Sequence, residues 1–162
     1  MKSLLILCTF CLLISCKSDT PDDKTPAAAT PALAADLGPA FESIPQPMVM
    51  DLWNKGNLID YIFHNLPFSM NQSEQASIRT NLTYFTPMAQ QYITPGCKPM
   101  GRQFFSIEGE IVLEADIYYT ETCAFYVFFV DGKAKYANQM SDAGKQFFNT
   151  MIQKGLEARG QG

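Results

Sequence analysis

Glu110-Ile111-Val112-Leu113-Glu114-Ala115-Asp116-Ile117-Tyr118-Tyr119 alternates residue by residue. Ile111, Leu113, Ala115, Ile117 and Tyr119 point one way, and Glu110, Val112, Glu114, Asp116 and Tyr118 the other. That is the pattern of a strand with one face on a core and one in water. Arg102 to Ile107 before it, and Cys123 to Val130 and Lys133 to Ala137 after it, read as further strands, with turns at Glu108-Gly109 and Thr120 to Thr122. Asp131-Gly132 is a two-residue hairpin signal, because both turn positions need positive φ. Four strands with such short links predict an antiparallel meander. Cys123 to Val130 is apolar on both faces, as a central strand covered on both sides would be.

The flanks of this meander read as helical. Pro45 and Pro47 suit a helix start, and Leu52, Ile59, Ile62, Phe63 and Leu66 recur at helical spacing up to Pro67. Ser69-Met70-Asn71-Gln72 has the form of a capping box, followed by Ile78, Leu82, Phe85, Ala89 and Tyr92 at steps of four, three, four and three. Pro87 lies within this stripe and predicts a kink, with Thr86 as a new cap. Ser141 caps a last helix carrying Phe147, Phe148, Met151, Ile152 and Leu156. The expectation is a two-layer α+β domain over residues 46–162: N-terminal helices, a four-stranded antiparallel meander and a C-terminal helix.

A chain of 162 residues with 47% hydrophobic content fills one such core, not two. Only 12 basic residues stand against 16 acidic ones, so no electrostatic footprint for nucleic acid exists. Within 46–162 the balance is nine basic against eleven acidic, so the segment before it carries much of the acidity.

Met1-Lys2-Ser3 followed by the uncharged run Leu4 to Ser15 reads as a signal peptide. A helix of a dozen residues reaches only about 18 Å, against about 30 Å of hydrocarbon, and cannot span a bilayer. Leu13-Ile14-Ser15-Cys16 resembles the lipobox of bacterial lipoproteins: a leucine three positions before the cysteine, a small residue just before it, then the cysteine. The resemblance covers residues 1–16 alone, and residues 46–162 carry no motif that resembles a family. It implies removal of residues 1–15, acylation of Cys16, and a protein held at a membrane by lipid in the bacterial cell envelope, with the outer membrane as the expected site. Two or three acyl chains, at about 0.8 kcal/mol per buried methylene, hold a protein lastingly where one does not. Lys17 to Lys24, with Asp19, Asp22 and Asp23, resembles the acidic export tract of some surface lipoproteins, or is simply a solvated linker. Residues 16–45 hold five prolines and an alanine run, and read as a semi-rigid tether reaching up to about 90 Å when extended.

Cys8 and Cys11 leave with the signal and Cys16 is taken by lipid, so Cys97 and Cys123 remain as a pair. In an oxidising compartment such a pair predicts a disulfide. The meander agrees: the starts of its first and third strands lie at one end, about 10 Å apart, within reach of the loop Thr94 to Gly101.

Chemistry is sparse. His64 is the only histidine, and no nucleophile or carboxylate is aimed at it by spacing. Glu110, Glu114 and Asp116 read as the wet face of a strand, with Lys133 and Lys135 as cross-strand partners if the faces agree. No phosphate loop, nucleophile elbow, zinc motif or calcium loop is present, and neither cofactor nor metal is expected. Aromatics crowd the sheet, and the helices cover only one of its faces. Either a flanking segment covers the other, or Tyr118, Tyr126 and Phe128 form a binding surface. The reading that results is a non-enzymatic membrane-anchored protein that binds an envelope protein or a small ligand through its sheet. The alternative is a small envelope hydrolase, or another enzyme without a recognisable motif, built around His64.

Overall fold

The computed structural model describes residues 40–160; the signal peptide, Cys16 and most of the tether lie outside the described residues. At the centre are the expected strands, here β4 (Gly101–Ile107), β5 (Glu110–Tyr119), β6 (Ala124–Val130) and β7 (Lys133–Met140). They pair antiparallel in sequence order. Both tight turns have two positive φ angles, 53° and 88° at Glu108-Gly109 and 52° and 72° at Asp131-Gly132. That geometry matches the right-handed twist of the strands it joins.

The sheet is nonetheless not a four-stranded meander but a seven-stranded antiparallel sheet, ordered β2-β1-β4-β5-β6-β7-β3. The three added strands come from the stretches expected to be helical. α1 (Gln46–Lys55) ends where the chain turns extended at Gly56, and β1 (Gly56–Phe63) follows directly. A side chain at Gly56 would sit 2.5 Å from the Leu52 carbonyl oxygen, so the sharp exit needs glycine. Ile59, Ile62, Phe63 and Leu66 satisfy a helical spacing, but Ile59, Tyr61 and Phe63 also satisfy an alternating one. Consecutive β-branched and aromatic residues settle the competition, because they fit a pleated, half-buried surface. Ile59, Tyr61 and Phe63 are buried, and Ile62 turns outward.

β2 (Ser69–Gln72) takes the place of the expected capping box and pairs with β1. α2 (Gln75–Leu82) spans only the first half of the second stripe, and Phe85 to Ala89 forms β3, paired with β7. Pro87 therefore kinks no helix. It stands in an edge strand, where its missing N–H costs no ladder bond.

α3 (Asp142–Gly160) starts as expected: the Gly144 N–H donates to Ser141 Oγ at 3.1 Å. All three helices cover one face of the sheet. Leu52 of α1, Ile78 and Leu82 of α2, and Phe148 and Met151 of α3 pack with Ile59, Tyr61, Phe105, Ile117, Tyr126 and Phe128. The packed domain begins before residue 46: Phe41 and Ile44 are in contact with the core, and Glu42 bridges to Tyr136 of β7.

Candidate binding face

The second face of the sheet is divided. The chain leaves β3 at one margin and must reach β4 four strand positions away, about 19 Å, so residues 90–100 cross β7, β6 and β5. Ile93 and Cys97 of this crossing, with Phe41 beside them, close over Tyr118, Phe125, Val127 and Ala137. Backbone bonds fix both ends, Gln90 N–H to the Ala137 carbonyl at 2.9 Å and Met100 N–H to the Ile117 carbonyl at 2.8 Å. The Cys97–Cys123 disulfide ties its middle down, with Cα atoms 6.0 Å apart.

Beyond this cover the face is open. Asp60 and Ile62 of β1, Ser69 and Asn71 of β2, Phe104 of β4 and Ile111 of β5 line a groove of about 670 Å³. Ile62 is 52% exposed and Ile111 58%, and Phe104 is half-buried between them and the covered side. Asp60 is partly buried, and its carboxylate forms no hydrogen bond or ion pair with any described residue.

At the boundary of the two halves sits a small charged cluster. Arg102 donates from Nε to Asp116 at 2.7 Å and from Nη1 to Glu114 at 3.1 Å, and its guanidinium lies 4.5 Å from the Phe129 ring centroid. The hydrogen bond that Arg102 donates to Asp116 is the main reason its pKa is raised. Burial, then the Asp116 charge, raises the Tyr118 phenol. Glu114 and Asp116 thus hold an arginine rather than simply facing water. Lys133 and Lys135 do not pair with them.

The three residues expected to form a binding surface do not form one. Tyr126 and Phe128 are 1% and 0% exposed in the helix-covered core, stacked on one another, edge-on to Phe85, and with Phe148 tilted against Tyr126. Tyr118 is on the opposite face beneath the crossing segment, stacked on Phe125. Strand alternation separates Tyr118 from the other two, because paired positions share a face and Tyr118 pairs with Phe125, not Tyr126.

A buried polar group in the helix-covered layer had no signal in the sequence beyond three scattered polar residues. Gln103 Nε2 donates to Asn81 Oδ1 at 2.6 Å and to the Tyr61 hydroxyl at 3.2 Å. Asn81 Nδ2 donates to Tyr61 and to Gln72 Oε1. Gln103 Oε1 and the Tyr126 hydroxyl have no partner among the described residues. Burial pushes the Tyr61 and Tyr126 phenols well above their ordinary pKa.

His64 lies at the exposed end of β1, with Nδ1 3.1 Å from the Pro99 carbonyl. No described carboxylate pairs with it, so the expected centre of an enzymatic alternative is held by a backbone oxygen instead. Among the described residues no cluster of three metal-ligating side chains occurs, and no helix is long and apolar enough to cross a membrane. No family model, curated protein or solved structure matches the chain.

Proposed function

We propose that this is a lipid-anchored envelope protein whose domain binds an envelope protein through the open half of its second sheet face. The anchoring part rests on the lipobox-like Leu13-Ile14-Ser15-Cys16 behind an apolar run. The Cys97–Cys123 disulfide accords with an oxidising compartment. The binding part is carried by one observation: two large aliphatic side chains, Ile62 and Ile111, stand more than half exposed around a single groove on the second face of the sheet. Exposed apolar surface clustered on a rigid scaffold marks interaction sites more often than isolated exposed residues do.

Two experiments test the two parts. Replacing Cys16 by alanine transfers the protein from the membrane to the soluble fraction; persistence in the membrane overturns the anchor. In cells, crosslinking followed by mass spectrometry recovers an envelope protein with the wild-type domain and loses it with Ile62→Ser combined with Ile111→Ser. Equal recovery by both moves the contact elsewhere. Capture of a small apolar compound alone makes the occupant a ligand rather than a protein.

A further inference from the structure

The groove adjoins a sheet margin that differs from the opposite one. At β3 the edge is blunted: Pro87 has no N–H, and the Met88 N–H is taken by Thr86 Oγ1 at 3.2 Å. At β2 no proline or charged residue interrupts Ser69-Met70-Asn71-Gln72, and its outer backbone groups meet no described residue. An open edge of this kind is a template for another strand.

The groove beside that edge is acidic. Asp60 is the one charged side chain lining it, and the cluster at its boundary sets two carboxylates, Glu114 and Asp116, against the single cation Arg102. Arg102 is already occupied by Glu114 and Asp116, so Asp60 is the carboxylate left to a ligand. Lys133 and Lys135 are four strands away on β7.

Distance selects the ligand's side chains. A strand added outside β2 lies two strand spacings from β1, or about 10 Å. Asn71 is paired with Asp60, and both Asn71 and Ser69 are short. A side chain opposite Asn71 has only the short Asn71 side chain to pass over, and only lysine or arginine is long enough to bring a charge to Asp60 while laying its methylenes along the groove. Resting on the binding reading above, we infer that the occupant is an extended basic segment of the partner protein, pairing with β2 as an eighth strand. It alternates apolar residues with lysine or arginine, and one cation reaches Asp60.

The test uses full-length protein in detergent and three labelled nonapeptides read by fluorescence anisotropy: valine alternating with lysine, valine alternating with glutamate, and the lysine peptide N-methylated at every second amide. The lysine peptide binds, and binding weakens with added salt. Asp60→Asn weakens it by about fivefold, the scale of one partly exposed ion pair. The glutamate and N-methylated peptides bind about tenfold more weakly or worse. Equal binding by the glutamate peptide overturns the charge argument, and equal binding by the N-methylated one overturns strand addition. A dimer of the protein alone that excludes the lysine peptide makes a second copy the occupant of this edge. If the lysine peptide fails to bind while Ile62→Ser with Ile111→Ser still abolishes crosslinking, this inference fails and the binding face stands. If the double variant crosslinks normally, the face itself is wrong.

Discussion

Tyr126 shows how far a single side chain can be read from sequence. Its aromatic neighbours in Cys123 to Val130 mark a central strand, and β6 is one, with Tyr126 and Phe128 in one core and Phe125 and Val127 in the other. Which face would be covered by helices was not legible, because both faces of the strand are equally apolar. The Tyr126 hydroxyl is fully buried without a described partner. Tyr126→Phe therefore raises stability, by about 1 kcal/mol, since it removes an unsatisfied group and keeps the ring. Asn81→Ala lowers it by about 2 kcal/mol, because Tyr61 and Gln103 lose their shared partner. Urea titrations of the three proteins check both. The buried phenols also set a pH dependence. Tyr61 and Tyr126 keep their protons to higher pH folded than unfolded. Their contribution is complete below about pH 10, the unfolded value, and is lost as pH rises from there toward the folded values. Denaturation midpoints fall above pH 10, and less steeply in Tyr126→Phe.

Among the elements, those with a single possible period were legible and those with two were not. β5 obeys only the alternating pattern and its range matches the expected one, but a register shift against β4 at Phe105/Ser106 turns Ile111 away from the core face it was expected to share with Leu113. The stretch from Leu52 to Leu66 obeys both, and a helix and a strand meet inside it at Gly56. Pro87 was informative in the wrong direction: it excludes a helix interior and a central strand, leaving the edge position it holds in β3. The disulfide was legible because two separate readings pointed to it, an N-terminus read as an export signal and two strand starts at one end of a sheet. Its removal has a local signature. Cys97→Ser with Cys123→Ser costs about 3 kcal/mol for a loop of 26 positions. The cover over Tyr118 and Phe125 loosens, and chymotrypsin then cuts after Tyr92 of the crossing segment faster, as peptide mapping reports, while the helix-covered layer keeps its protection.

At the scale of the whole molecule, the α+β class was legible, but not the seven-stranded sheet. That width creates the candidate site: the crossing segment passes over β7, β6 and β5, whereas β1 and β2 extend the sheet beyond it. The residues of the groove carried a weak signal, an Ile62 that a helix would have buried and an Asp60 between Ile59 and Tyr61. Because the groove residues are not part of the core, Ile62→Ser with Ile111→Ser changes the melting free energy by no more than about 0.5 kcal/mol, measurable by calorimetry. The seat of Glu42 against Tyr136 bears on mechanics. The chain runs into the domain along β7, five strand spacings or about 24 Å from β2. On the proposal that the protein is anchored through its N-terminal side, tension enters the domain at Phe41, Glu42 and Ile44 on that flank, so a partner gripping the free margin at β2 does not compete with that load.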